Sequence, residues 1–193
     1  MEAPVVDPSS IDRTWLVGAV VVALALERLG ELALSHRNLA RLERDGVARF
    51  ASSSGGEYGA MVLVHTLFVL TPPIEIWLRG MRGDATVALA AVAAIAAAQA
   101  LRWWTILTLG PRWNARAVVA PSLGAVHGGP YRFVRHPNYV AVILEFAALP
   151  FVGGTWISGG VLFLANAVLL ARRVRQEERL LAAVPGWAEG FRR

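Results

Sequence analysis

The stretch GGPYRFVRHPNY, residues 128–139, lies between two long apolar regions and determines how the rest of the chain is arranged. Pro130 and Pro137 fix their own φ and disfavour a helical conformation in the residue before each of them. Gly129 and His136 therefore cannot continue a helix, and we predict a shaped loop. The stretch offers two guanidinium groups, an imidazole, two phenols and an amide, which suit a ligand with carboxylate, hydroxyl and aromatic-ring features. A basic loop that merely anchors two helices at a charged membrane surface is the alternative.

The composition around this loop is that of a membrane protein. The chain has 193 residues, of which 55% are hydrophobic and 17% are charged, and its mean hydropathy is +0.48. Soluble proteins carry about a quarter charged residues, and a chain of this length fits one domain. The chain has no cysteine, which excludes disulfides, thiolate metal sites and cysteine-ligated iron–sulfur clusters. We therefore predict a single membrane domain over residues 1–193.

The apolar stretches predict about five transmembrane helices, since roughly twenty residues cross a bilayer. They cover about residues 14–34, 58–78, 85–109, 139–151 and 155–171. Pro150 and the Gly153-Gly154 pair are expected to end the fourth stretch, which is too short for a straight crossing. We therefore expect the last two stretches to form a tilted helical hairpin.

The segments outside these spans complete the predicted layout. Residues 35–57 predict a short surface helix and a Ser-Gly linker, residues 110–138 a long polar loop, and residues 172–193 a C-terminal helix. Loops of that length in compact domains are usually functional. Within the second span, the Pro72-Pro73 pair should break or kink the helix. Arg102, next to two tryptophans, predicts an interfacial belt.

Several charged or polar side chains fall inside the predicted spans. Glu27, Arg28 and Glu31 share one helical face, which must turn towards the protein interior, a partner charge or the interface. Snorkelling into the headgroups is the simplest of these roles. His65 is a ligand, a proton carrier or, more commonly, an interhelical hydrogen-bonding histidine. Glu145 is a functional candidate by its depth, or a cap for an arginine of the loop.

Arginine placement predicts the topology. The segments 35–57, 110–138 and 172–193 carry most of the arginines, whereas the N-terminal lead-in and the short connections carry few. Because cytoplasmic loops are enriched in arginine and lysine, we expect an external N-terminus and five crossings. All three basic segments then face the cytoplasm, in what we expect to be a bacterial inner membrane.

Two motifs carry a family resemblance. The first is GPYRFVRHPNY, and the second, about forty residues later, is RVRQEERL at residues 173–180. In order and spacing they resemble the isoprenylcysteine carboxyl methyltransferase family of integral membrane enzymes, and weaker similarity covers residues 28–38, 65–70 and 101–113. The pattern is closest to the bacterial branch associated with alkylpyrone and alkylresorcinol methylation.

The resemblance implies a fold, a reaction and a cofactor. The expected fold class is an all-α integral membrane protein with about five transmembrane helices, a cytosolic cofactor-binding loop and a C-terminal helix. The expected reaction is S-adenosylmethionine-dependent methylation of a lipophilic acceptor oxygen, either an isoprenylcysteine-type carboxylate or a long-chain polyketide phenol or enol. Such an in-line transfer needs no metal, and positioning can supply much of its rate. No Gly-x-Gly-x-x-Gly follows a strand pattern, so a soluble Rossmann-type enzyme is not expected.

The resemblance also implies the site residues. By that likeness Arg173 would face the methyl acceptor, and Glu177, one helical turn later, would close the cofactor site. We take these two as the candidate catalytic residues. The implied cofactor-binding residues are Arg116, Leu123, Gly124, Ala125, Val126, Tyr131, His136, Pro137, Asn138, Tyr139 and Glu177. Arg116 and Leu123 depart from the glutamine and histidine that are frequent in the family.

Other functions fit parts of the same pattern. One is phospholipid amine N-methylation, and a second is NADPH-dependent reduction by a sterol-type membrane reductase, although chains of that class are generally much longer. A non-catalytic membrane scaffold is the third. The expected partners are a lipophilic or lipidated substrate and membrane lipid, with no nucleic acid.

The topology has a direct test, because the native chain has no cysteine to give background labelling. In intact cells, a cysteine placed at position 82 should react with a membrane-impermeant maleimide, whereas a cysteine at position 127 should not. Labelling in the reverse pattern would put the polar loop on the outer face of the membrane.

Overall fold

Five helices make up most of the computed structural model, which describes residues 8–50, 54–81 and 83–187. They are α1 (Pro8–Arg44), α2 (Ser54–Arg79), α3 (Ala85–Leu109), α4 (Pro137–Gly153) and α5 (Trp156–Leu181). Two short strands, β1 (Arg49–Phe50) and β2 (Val118–Val119), pair antiparallel. The predicted all-α architecture is confirmed.

Three segments are long and apolar enough to cross a membrane, namely Gly56–Arg79, Ala85–Arg112 and Trp156–Leu181. Large apolar side chains cover their outer surfaces, and Trp77 and Leu107 are 83% and 75% exposed, as expected where lipid is the solvent. The protein is therefore a multi-pass integral membrane protein. α4 is apolar but shorter, and α1 carries Glu27, Arg28 and Glu31 within its apolar part, so the number of crossings stays a prediction.

α1 is longer than the sequence predicted. It continues to Arg44, so the separate surface helix expected within residues 35–57 is wrong. The extension is held by tertiary packing, because Leu39 and Leu42 are buried against Val118 and Ala120 of the long loop. The Ser-Gly linker lies partly outside the described residues, and α2 already begins at Ser54.

Prolines interrupt the helices less than the sequence predicted. α2 runs through Pro72 and Pro73 to Arg79, so the predicted break there does not occur. α4 runs through Pro150 but ends at Gly153, with Gly154 as its C-cap, where the glycine pair was expected to end it. Membrane helices tolerate proline where neighbouring groups satisfy the freed backbone atoms. The ring of Pro150 also has a packing role, since a Cβ on Gly159 of α5 would overlap it. Only glycine at that position allows α4 and α5 to approach so closely.

A buried ion cluster joins three helices. Glu145 of α4 is 1% exposed and Arg102 of α3 is 2% exposed. Arg28 of α1 donates through Nη2 to both oxygens of Glu145, at 2.5 and 2.6 Å, and Arg102 donates to Glu145 as well. Arg28 Nη1 also donates to Glu31 at 2.5 Å. The cluster therefore ties α1, α3 and α4 together inside the apolar part of the protein.

This cluster corrects three sequence-based expectations. Glu145 does not cap an arginine of the loop, Arg102 is not part of an interfacial belt, and the charged face of α1 does not snorkel. The physical reason is the same in each case. A buried charge is tolerated when an opposite charge meets it, and helix packing brings those partners together from distant parts of the chain.

The apolar core lies beside the ion cluster, between all five helices. Phe146 of α4 stacks on Phe68 of α2 with ring centroids 3.8 Å apart. The edge of His65 packs on the same Phe146 ring at 5.1 Å, and His65 Nδ1 donates to the carbonyl of Met61 in its own helix at 2.9 Å. The interhelical hydrogen bond expected for His65 is therefore replaced by an interhelical ring contact.

Neutralising Glu145 tests the contribution of the ion cluster. Glu145→Gln keeps the side-chain shape but leaves Arg28 and Arg102 without their shared anion, so we expect a loss of about 3–5 kcal/mol in the free energy of unfolding. The measurement is equilibrium unfolding in detergent micelles. Glu43→Gln, at an exposed site near the end of α1, is the matched control and should change little. Equal stability of the two variants would contradict a structural role for the cluster.

Candidate functional site

The two prolines shape the loop that precedes α4. Pro130 lies in a short 3₁₀ turn (Gly129–Arg132), and Pro137 is the first residue of α4, a position where proline is favoured because no backbone N–H is needed. Gly129 has φ +56, and a Cβ there would lie 3.0 Å from Thr108 Cγ2. The loop therefore packs closely on the end of α3. The predicted shaped loop is present.

α1 holds the first half of the loop in place. Ser35 Oγ donates to Asn114 Oδ1 at 3.0 Å and accepts from the backbone N–H of Ala115 at 3.0 Å. Asn38 Nδ2 donates to the carbonyl of Trp113 at 2.8 Å. Sequence analysis assigned Ser35 and Asn38 no role in the site and covered them only by the family resemblance over residues 28–38. Their hydrogen-bond partners could not be predicted, because they depend on the extension of α1 past the apolar part of the protein.

A polar cleft of about 110 Å³ lies between the loop and α5. Ten sequence-predicted site residues line it: Arg116, Gly124, Ala125, Val126, Tyr131, His136, Asn138, Tyr139, Arg173 and Glu177. Two others do not. Leu123 is exposed outside the cleft, and Pro137 is buried at the start of α4.

A chain of hydrogen bonds crosses the floor of this cleft. Arg173 Nε donates to the hydroxyl of Tyr139 at 2.9 Å, and that hydroxyl donates to Glu177. Arg173 and Glu177 lie one turn apart on α5, as their spacing predicted, but Tyr139 is the link between them. The arrangement fixes a guanidinium and a carboxylate on opposite sides of one phenol.

Glu178 supports the imidazole of the loop. His136 Nε2 lies 2.7 Å from Glu178 Oε1, and Arg135 forms a longer ion pair with the same carboxylate at 3.7 Å. The His136 ring also stacks on Tyr139, with centroids 5.3 Å apart. Glu178 was quoted in the second motif without a role, and it is the residue that orients His136.

Tyr131 is a neutral hydrogen-bonding group in the cleft. Burial, and then the negative charge of Glu177, raise the pKa of Tyr131 above its usual value. Both causes disfavour the phenolate. The phenol therefore stays protonated at neutral pH and can donate to a ligand.

A second, apolar cavity of about 340 Å³ lies on the other side of Tyr139. Its walls come from all five helices and from the loop. Leu29 of α1 and Val62 and Leu70 of α2 line it and are also exposed on the helix surfaces. The cavity therefore opens sideways between α1 and α2. The sequence did not predict this cavity, although it singled out several of its lining residues, among them Arg28, Glu31 and His65.

The cleft and the cavity share four lining residues, Asn114, Asn138, Tyr139 and Arg173. We call these four the junction. A cation–π contact also links the two spaces: the guanidinium of Arg116, which lines the cleft, lies 4.8 Å from the ring centroid of Tyr58, which lines the cavity. A polar compartment and an apolar compartment thus meet at one fixed cation.

Comparison with known proteins agrees with this arrangement. The family model of the isoprenylcysteine carboxyl methyltransferase (ICMT) family matches residues 90–183. The chain is 30% identical over 167 residues to the uncharacterized protein YpbQ of Bacillus subtilis (strain 168), an alignment that covers 86% of this chain and 95% of that protein. The chain belongs to the ICMT family. No solved structure matches it.

Membership confirms the resemblance that the two motifs carried, and it indicates a membrane methyltransferase. The alkylpyrone branch stays a prediction. The matched region contains most of α3, the loop, α4 and α5, and every residue that lines the polar cleft except Val184 and Trp187. The α1 and α2 walls of the apolar cavity lie outside it. In this ICMT-family chain, most residues that line the apolar cavity thus belong to helices beyond the family match.

Proposed function

We propose that this protein transfers the methyl group of S-adenosylmethionine to an oxygen of a lipophilic acceptor. The observation that carries the proposal is the junction, where a polar cleft and a laterally open apolar cavity share Asn114, Asn138, Tyr139 and Arg173. The cofactor would occupy the cleft, and the acceptor would enter the cavity from the lipid. The two reactants then meet away from water.

The residues of the cleft fit such a cofactor. Asn138 Oδ1 is buried and accepts no hydrogen bond within the part of the chain that the structure describes, so a ligand donor there would satisfy it. Glu177 offers a carboxylate to an ammonium or sulfonium charge. Tyr131, held neutral, offers a hydroxyl donor. When bound, the cofactor supplies a methyl group on a positively charged sulfur and leaves as S-adenosylhomocysteine.

Arg173 supports an oxygen acceptor. Its guanidinium lies at the junction, where Nε donates to the Tyr139 hydroxyl. The remaining N–H groups can donate to an anionic oxygen, and the guanidinium, which stays protonated, does not act as a base. A carboxylate is already ionised at neutral pH, and a phenol with a pKa of about 10 becomes easier to ionise beside a cation. An amine acceptor gains positive charge on methylation, which Arg173 disfavours. We therefore place oxygen before the phospholipid amine.

Proximity supplies the rest of the reaction. Methyl transfer breaks a sulfur–carbon bond and forms an oxygen–carbon bond in line, so an ionised acceptor only has to be aligned with the cofactor. A phenol or enol acceptor first releases its proton to water and reacts as the anion beside Arg173. The hydrogen bonds from Arg173 through Tyr139 to Glu177 connect the acceptor side of the junction to the cofactor side. We further propose, from the arginine distribution, that the cleft faces the cytoplasm of a bacterial inner membrane, where the cofactor is available.

The cofactor assignment can be tested by calorimetry on the purified protein. S-adenosylhomocysteine should bind and NADPH should not, which separates a methyltransferase from a reductase and from a scaffold. Tyr131→Ala and His136→Ala should each abolish that binding, because both residues line the cleft. Arg132→Ala, at an exposed residue that does not line it, is the matched control. Unchanged affinity for S-adenosylhomocysteine in both cleft variants would contradict the assignment of the cofactor to this cleft.

Substitutions of Arg173 and Glu177 should impair different steps, turnover in the first case and cofactor binding in the second. Glu177→Gln removes a charge-assisted contact worth about 1.5–3 kcal/mol, so the dissociation constant of the cofactor should rise roughly tenfold or more. Arg173→Lys keeps the charge but loses the planar fork, so cofactor affinity should stay near normal while turnover collapses. The paired measurements are calorimetry and methyl transfer from labelled cofactor to alkylpyrone, alkylresorcinol and farnesylcysteine acceptors. Arg172→Lys, on the exposed neighbour, is the control, and normal turnover by Arg173→Lys on an accepted substrate would remove Arg173 from the active site.

A further inference from the structure

The inner wall of the apolar cavity is charged. Beyond its apolar lining, the cavity is bordered by Arg28, Glu31, Arg102 and His65, of which the first three belong to the ion cluster. Tyr139 of the junction and Glu145 of the cluster are six residues apart on α4, which is a rise of about 9 Å along the helix axis. Arg28, Glu31 and Arg102 of the cluster line the same cavity as Tyr139 of the junction, so a molecule that fills the cavity lies against this charged wall.

The two buried carboxylates of the cluster differ in how well they are satisfied. Both oxygens of Glu145 accept from Arg28, and one of them also accepts from Arg102. Glu31 Oε2 accepts from Arg28 at 2.5 Å. Glu31 Oε1 lies 3.4 Å from Arg102 Nε and accepts no hydrogen bond from any described residue.

The spare oxygen of Glu31 lies in the cavity wall. Glu31 is 6% exposed and lines the cavity. An unsatisfied buried acceptor is unfavourable, and more so when it is charged. The structural task of holding Arg28 and Arg102 is already met by Glu145. Glu31 Oε1 can therefore accept a hydrogen bond from a ligand, because no described residue donates one to it.

His65 adds a second acceptor to the same wall. Its Nδ1 donates to the carbonyl of Met61, and in the neutral ring that leaves Nε2 as an acceptor. The edge contact with Phe146 holds the ring in place. Glu31 from α1 and His65 from α2 thus present acceptors from the two helices between which the cavity opens.

We propose that Glu31 and His65 form a second recognition site for the methyl acceptor, which binds a hydroxyl group other than the oxygen that is methylated. This inference rests on the proposed function, and it specifies the substrate class as a lipophilic molecule with a polar head that carries a second hydrogen-bond donor. Glu31 and His65 line the same cavity as Tyr139 and Arg173 of the junction, so the donor belongs to the part of the acceptor that occupies this cavity.

The site predicts a preference that ligand binding can measure without cofactor. The probes are pentadecylresorcinol, with two hydroxyls, and meta-pentadecylphenol, with one hydroxyl and the same tail. We expect the full-length protein in lipid nanodiscs to bind the resorcinol roughly tenfold or more tightly by calorimetry, as expected when a buried polar site is left unpaired by the poorer ligand. His65→Phe retains a ring against Phe146 but removes the acceptor nitrogen, and it should lower that preference at least about threefold by weakening the resorcinol alone. Glu31→Gln should act in the same direction.

Controls separate this role from a structural one. His36→Phe makes the same substitution at an exposed histidine outside the cavity and should keep the wild-type preference. Equal affinity of the wild type for the two probes, or binding of neither, overturns the inference. So does an equal loss for both probes in His65→Phe and Glu31→Gln, which would mean that these residues only shape the cavity. Failure of the proposed function has a different signature, the lack of S-adenosylhomocysteine binding by the wild type.

Discussion

The structure depends on the ion pairs that Glu145 makes with Arg28 and Arg102. Each partner lies on a different helix, and all three lie inside the apolar part of the protein, where an unpaired charge is severely unfavourable. Helices that slide or rotate past one another would separate the pairs. The cluster therefore sets the positions of α1, α3 and α4 more narrowly than apolar packing between alanine-rich and leucine-rich surfaces can. The cavity between these helices keeps its shape for the same reason.

The position of the junction follows from that of the helices. Tyr139 and Asn138 begin α4, two turns from Glu145, so the cluster that fixes α4 also fixes these side chains. Arg173 reaches the same point from α5, which approaches α4 closely at Gly159. The loop is fastened from the third side by Ser35 and Asn38 of α1. Residues from three helices are thereby held around one place where polar and apolar space meet.

This arrangement solves a problem that is specific to reactions between a water-soluble and a lipid-soluble molecule. Neither compartment alone would suit both, since a polar cleft excludes an alkyl tail and an apolar cavity cannot satisfy a charged cofactor. Sharing four side chains lets each reactant keep its own surroundings up to the reacting atoms. The side chains at the boundary can be few, because positioning is most of what methyl transfer requires.

The sequence by itself determined the class of the protein, the loop and part of the site. Hydropathy predicted a helical membrane protein because apolar length is a local property, and Pro130 and Pro137 predicted the loop because proline acts on its own backbone and its neighbour. The spacing of Arg173 and Glu177 placed them on one helical face. The family resemblance supplied most of the residues that line the cleft.

Only the tertiary structure decided how the charges pair, where α1 ends and that the apolar cavity exists. Arg28 and Glu145 are 117 residues apart in the chain, and no local pattern reveals such a partner. Leu39 and Leu42 keep α1 helical by packing on a strand that comes much later. The cavity is the space left between the five helices and the loop, and it has no residue pattern of its own. In the sequence, the residues of its charged wall appear only as separate polar or charged side chains within apolar segments. Helix packing brings them together on one surface.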